Sequence, residues 1–184
     1  MKGEIPEELG YLLFLNHFSV YWNDISGPIP DSLQFLDELE FLAMEGCQLE
    51  GPIPEWINKL TNLKFLDLSD NYMTGTLPSL AALTSMTQIS LASNELVGSL
   101  DRFSGMPELD LLDLHGNTFT GPIPQNLGVL ENLRYLLLGQ NMLSGTVPRS
   151  IFEIDELSKS YHINWFARTI EYNTVSSSNT NFSH

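Results

Sequence analysis

A four-residue signature, Gly-x-(Ile/Leu/Val)-Pro, begins at Gly3, Gly27, Gly51, Gly75, Gly121 and Gly145, with a degenerate copy at Gly98 where Asp101 replaces the proline. The steps between copies are 24, 24, 24, 23, 23 and 24 residues. A second pattern, L-x-x-L-x-L-x-x-N, keeps the same phase. It is clearest at Leu63, Leu66, Leu68 and Asn71, at Leu109, Leu112, Leu114 and Asn117, and at Leu133, Leu136, Leu138 and Asn141. A fixed period this short leaves few folds open. Each segment is one coil with a single inward apolar row, and that row is buried only when coils stack on one another.

The spacing inside the repeat assigns a shape to each coil. The two leucines of L-x-L are two residues apart, so both point to one face of a strand and the residue between them faces solvent. One such strand per coil predicts a parallel sheet, with strands near 17–20, 41–44, 65–68, 88–91, 111–114 and 135–138. On the return path Leu127, Leu130 and Leu133 follow Pro124, and Leu9, Leu12 and Leu15 follow Pro6. A spacing of three suits a 3-10 or irregular convex side. The Gly-Pro-Ile-Pro segments mark turns and allow at most an edge strand on a lateral face, because proline cannot donate to a ladder. The fold class expected is therefore α/β, a solenoid with one parallel strand per 23–24-residue coil.

One column recurs where each strand turns away: Asn23, Asn71, Asn94, Asn117 and Asn141. A buried amide side chain can serve backbone groups in its own coil and the next. Cys47 takes that place in the second coil, and its weaker thiol donor predicts a weaker rung.

Composition narrows function further. The 184 residues carry 8 Lys plus Arg against 23 Asp plus Glu, a formal net charge of -15. That charge disfavours nucleic acid and anionic membrane as partners. The single cysteine excludes an internal disulfide and a thiolate metal cluster. No apolar run is long enough to span a membrane, and no signal-peptide core follows Met1.

The run L-x-x-L-x-L-x-x-N-x-L-x-G-x-I-P-x-x-L-G-x-L resembles the plant-type class of leucine-rich repeats. Residues Leu109 to Leu130 match it with one departure, Phe119 in a leucine slot. The resemblance covers residues 3 to 157. It implies a horseshoe solenoid of the kind found in receptor-like kinase and receptor-like protein ectodomains, which bind peptides, proteins, steroids or glycans on the concave sheet or its flank. The paired cap cysteines of such ectodomains are absent, and the first repeat starts partway through a coil, so the chain reads as a fragment of a longer protein or as a member without the usual caps. The organisation expected is a leucine-rich-repeat domain over 1–157, with about six full repeats and a partial first coil, then a C-terminal cap over 158–172 with Ile163, Trp165 and Phe166, and a disordered tail over 173–184. The cap reading rests on Ser160 and His162, which stand where the next strand would need apolar residues.

The outward positions of the strands form columns that would line the concave face. They hold an aromatic zone of His17, Tyr21, Trp22 and Phe41, and an acidic zone of Glu45, Asp67, Asp70, Asp110 and Asp113, with His115 beside it. Exposed aromatics anchor ligands, and carboxylates favour basic ones. No catalytic motif is present, and His17 and His115 sit four strands apart, roughly 19 Å at ~4.8 Å per strand, too far to share a metal. The expectation is a non-enzymatic recognition module at the cell surface or outside the cell, with a protein or peptide partner or a glycan, and without metal, cofactor, nucleic acid or a membrane span in this chain. The alternatives are an enzyme-inhibiting module similar to polygalacturonase inhibitors, a structural solenoid binding cell wall or ice, and an intracellular scaffold.

Overall fold

The computed structural model describes residues 2–103, 105–160 and 163–164. Two seven-stranded sheets run along the stacked coils, and all of their strands are parallel. The first sheet contains His17–Ser19, Phe41–Ala43, Phe65–Asp67, Gln88–Ser90, Leu111–Asp113 and Tyr135–Leu137. These are the strands the L-x-L phase predicts, each three residues long. In-register partners such as His17 and Phe41, or Leu112 and Leu136, stand one whole repeat apart. The middle residue of each strand from the second coil on, Leu42, Leu66, Ile89, Leu112 and Leu136, is buried.

The second sheet corrects an expectation. Proline was read as permitting only an edge strand on the lateral face, yet a full parallel sheet is there, including Asp24–Gly27, Gln48–Pro52, Tyr72–Thr76 and Thr118–Pro122. The reason is position. Pro52 and Pro122 are the last residues of their strands, so each forfeits a single ladder amide at the strand end. Partners here are Ser26 with Gln48, Glu50 with Tyr72 and Thr74 with Glu95, so this sheet is offset by about two residues per coil from the sequence repeat.

The return path is 3-10 helical at Glu7–Tyr11, Asp31–Phe35, Glu55–Lys59, Asp101–Phe103 and Gln125–Val129. Where a proline precedes the helix, as at Pro6, Pro30, Pro54 and Pro124, it sits extended at the cap. The leucines at spacing of three close these turns, as Leu36 N–H donates to the Leu33 carbonyl. Leu33, Leu36 and Leu39 are fully buried between neighbouring coils, whereas Leu12 in the first coil is 53% exposed at the end of the stack.

Beyond residue 157 the sheet continues. The helix Asp155–Ser160 occupies the place where the next strand was looked for, and Ile163–Asn164 then pairs with Leu136 and Leu137. The strand is thus displaced, and the unsuitable Ser160 ends a helix instead of entering a strand. The expected cap residues Trp165 and Phe166 and the tail over 173–184 lie outside the described residues. Among the described residues no helix is long and apolar enough to cross a membrane.

Candidate functional site

Three features converge on the open face of the first sheet and on the turn that leaves it. The first is an aromatic stack. His17, Phe41 and Phe65 occupy in-register positions, and their rings lie nearly parallel with centroids 4.0 and 4.2 Å apart. In-register parallel strands bring like positions about one strand spacing apart, which suits face-to-face rings. The expected aromatic zone is therefore split. His17 and Phe41 join Phe65 at the start of the strands, while Trp22 stands on the turn that follows the first of them.

The second feature is negative charge. The solvent-facing positions of the six strands and the two residues after each carry Glu45, Asp67, Asp113 and the imidazoles of His17 and His115, and no Lys or Arg. Asp67 accepts hydrogen bonds from the Ser69 amide and hydroxyl. Asp113 accepts from the His115 amide, and its carboxylate lies 2.8 Å from His115 Nδ1. Glu45 has a carboxyl pKa raised above the ordinary value, first by partial burial and then by Asp67 and Asp70; a hydrogen bond from Trp22 pulls the other way. Glu45 thus feels both aspartates. Asp110 differs. It lies one column away, where Arg134 grips both its oxygens, at 2.5 and 2.6 Å, just as Lys64 pairs with Glu40 in the same column.

The third feature is the turn itself. Trp22, Gly46, Asp70, Ser93, Gly116 and Gln140 form one column, and each adopts a left-handed backbone with φ between 52° and 65°. In this column Gly46 leaves room that Trp22 fills. A Cβ built on Gly46 would come within 2.6 Å of the indole. The ring lies over the glycine, 66% of Trp22 stays exposed, and its side chain hydrogen-bonds to Glu45. Around it opens a groove of about 600 Å³ bordered by Asp24, Gln48, Asp70 and Tyr72. The sequence reading missed Asp24, Gln48 and Tyr72. They begin the lateral strands, and with no lateral sheet expected there was no face on which to align them.

Beneath the turn the asparagine column holds adjacent coils together. Asn71 Nδ2 donates to the Met44, Leu68 and Ser69 carbonyls while its Oδ1 accepts from the Leu49 amide. Asn94, Asn117 and Asn141 repeat this arrangement one coil further each time. Asn23 donates to the Val20 and Tyr21 carbonyls within its own coil. Cys47 reproduces the donor half, with Sγ 3.3 Å from the Val20 carbonyl. The thiol is buried. Among the described residues no group of three His, Cys, Asp or Glu is placed to hold a metal.

Stacked parallel coils with an open, acidic and aromatic sheet face define a repeat solenoid. Family models for leucine-rich repeats match residues 38–60, 108–130 and 132–154, and a model for two such repeats matches 61–105. The chain belongs to the leucine-rich-repeat family, in its plant-type class. Among solved structures it is similar to the ectodomain of the Arabidopsis thaliana receptor kinase GASSHO1/SCHENGEN3 in complex with CASPARIAN STRIP INTEGRITY FACTOR 2. Identity is 33% over 84% of this chain and 19% of that one, with a TM-score of 0.82. It is also similar to the Arabidopsis receptor kinase HAESA in complex with the peptide hormone IDA and the co-receptor SERK1, at 28% identity over 84% of this chain and 26% of that one, TM-score 0.81. A plant ice-binding protein is 25% identical over 91% of this chain and 61% of that one, TM-score 0.73. The chain spans about a fifth to a quarter of the length of these receptor chains. No curated protein matches it.

Proposed function

We propose that the protein is a non-catalytic recognition module outside the cell that binds a peptide or a peptide-like segment of a protein across the open face of its first sheet. The observation that carries this reading is that face: a fixed stack of His17, Phe41 and Phe65 beside Glu45, Asp67 and Asp113, with no Lys or Arg among its outward positions. A rigid aromatic row supplies contact area at low ordering cost. Carboxylates with no Lys or Arg beside them on the face favour basic partners. The similar receptor ectodomains bound to peptide ligands support the same class of partner and the extracellular setting.

A displayed library of random peptides, selected on the whole chain, tests the reading. Selected peptides should be rich in Arg and Lys. Their affinity should fall about tenfold or more in Phe65→Ala and in Asp113→Asn, as anchor and charge contacts do. Glu55→Gln, on the 3-10 side, should leave affinity unchanged. If the selected peptides bind Phe65→Ala and Asp113→Asn as tightly as the parent, the sheet face is not the binding surface.

A further inference from the structure

The Trp22 turn is placed beside the sheet face yet is not part of it. Six coils need a left-handed residue at this position, and two of them use glycine, which pays no steric penalty there. The first coil instead spends a tryptophan, among the bulkiest side chains, at φ 52°. The next coil leaves Gly46 beneath it, where any Cβ would strike the ring. The Trp22 side chain also lies close enough to the Glu45 carboxyl to favour its ionised form. The indole therefore rests on Gly46 without being buried, and it borders the groove. Tyr72, 59% exposed, forms part of the border, together with Asp24, Asp70 and Gln48.

We infer that this groove receives the guanidinium of an arginine side chain in a bound peptide, stacked on Trp22 and paired with Asp70 and Asp24. The inference deepens the peptide-binding reading above and rests on it. Three arguments favour a guanidinium. A planar, weakly hydrated cation stacks on an indole face while its edge pairs with carboxylates, which an ammonium does less well. Among the described residues no Lys or Arg borders the groove, so the lining supplies its carboxylates with no cation. Asp67 and Asp70 also repel the Glu45 carboxylate, the next cause after burial of its raised pKa, and a cation bound at Asp70 offsets part of that repulsion. A neutral sugar would stack on the same ring but would leave the repulsion in place.

The test uses the tripeptide acetyl-Gly-Arg-Gly-amide, its citrulline counterpart, which is nearly isosteric and uncharged, and its lysine counterpart. The readout is the nuclear magnetic resonance shift of the Trp22 indole N–H, assigned by its disappearance in Trp22→Phe. The arginine peptide should move this signal saturably, and the citrulline peptide should bind about tenfold more weakly or not at all. The lysine peptide should fall between them. Asp70→Asn, which keeps the size and the backbone, should weaken arginine binding about three- to tenfold, and Trp22→Gly, which suits the left-handed backbone and is followed by titration calorimetry because it lacks the indole signal, about tenfold. Glu131→Gln, which removes the same charge on the far side of the coil, should change nothing. Equal binding of the arginine and citrulline peptides overturns the proposal. So does an equal loss in Glu131→Gln and Asp70→Asn, which would mean attraction to net charge alone, and so does a Trp22 shift produced by cellotetraose and not by the arginine peptide. If library peptides depend on Phe65 and Asp113 while the Trp22 signal never moves, this inference fails and the sheet-face reading stands. If the arginine peptide moves Trp22 while Phe65→Ala is silent in the library assay, the sheet-face reading fails alone.

Discussion

Left-handed backbone at the end of every first-sheet strand sets a different problem for each residue placed there. A non-glycine residue in this region costs roughly 1–2 kcal/mol relative to its relaxed state. Gln140 meets that cost on an exposed turn with φ 54°. Gln140→Gly should therefore stabilise the fold by roughly 0.5–1 kcal/mol, the steric relief exceeding glycine's entropic penalty. Gly46→Ala should do the reverse and by a larger amount, because it adds both the backbone strain and a collision with Trp22. Chemical denaturation of the two variants checks both signs. Glu45 beside this turn gives a pH-dependent counterpart. Burial, with Asp67 and Asp70 nearby, holds its folded-state pKa above the ordinary carboxyl value, so its ionisation is harder in the folded chain than in the unfolded one. Its contribution to stability is full below the unfolded pKa and is lost as pH rises through the folded one. Glu45→Gln, which can still accept from Trp22, should raise the melting temperature at about pH 7 and give no gain at about pH 3.5. A gain that persists in acid would show that the carboxylate charge is not its source.

Besides the backbone ladders and the stacked apolar core, the asparagine column ties strands and turns of adjacent coils together, and that element has one uneven rung. Asn94 makes four hydrogen bonds while buried, three as donor and one as acceptor. Asn94→Ala should cost about 2–4 kcal/mol, since it orphans a buried amide and carbonyls in two coils together. Cys47→Asn should gain about 1 kcal/mol by replacing a weak thiol donor with an amide in a register that already fits Asn71 and Asn94. If the Cys47 variant melts lower than the parent, the second coil is built around the smaller sulfur and the rung is not interchangeable. Much of this element was legible in the sequence, because burial, register and the Asn column all follow from one 24-residue period. The first sheet, its strand positions and the 3-10 return path follow from spacings of two and three. The lateral sheet did not, because a proline at the last strand position reads the same as a proline that forbids a strand. With it went Asp24, Gln48 and Tyr72. The strand Ile163–Asn164 was lost for another reason, a change of phase that a periodic reading takes for an ending. At the candidate site, residue type and face were readable, but the His17–Phe41–Phe65 stack and the placement of Trp22 over Gly46 depend on side-chain geometry between coils.

Across the whole molecule the two halves of the proposed surface should act on different rate constants. The chain carries a net charge of -15, and the carboxylates at Glu45, Asp67, Asp70 and Asp113 concentrate part of it on one side of the stack. Such a field acts before contact. It draws a basic peptide in over a Debye length, about 10 Å at 0.1 M salt, and is screened as salt rises. The aromatic row acts only after contact, because ring packing extends no further than the rings. Asp67→Asn combined with Asp70→Asn should therefore lower the association rate of a selected basic peptide several-fold at low salt, and the difference should shrink as salt is raised. Phe41→Ala should leave the association rate nearly unchanged and raise the dissociation rate by roughly tenfold or more, because it opens a gap between His17 and Phe65. Surface-plasmon measurements on both variants at two ionic strengths separate these effects. A double carboxylate variant whose loss lies in the dissociation rate and is unmoved by salt would place those carboxylates in direct, desolvated contact with the peptide. The field would then not be steering, and the arginine groove around Asp70 would account for the whole effect of charge on binding.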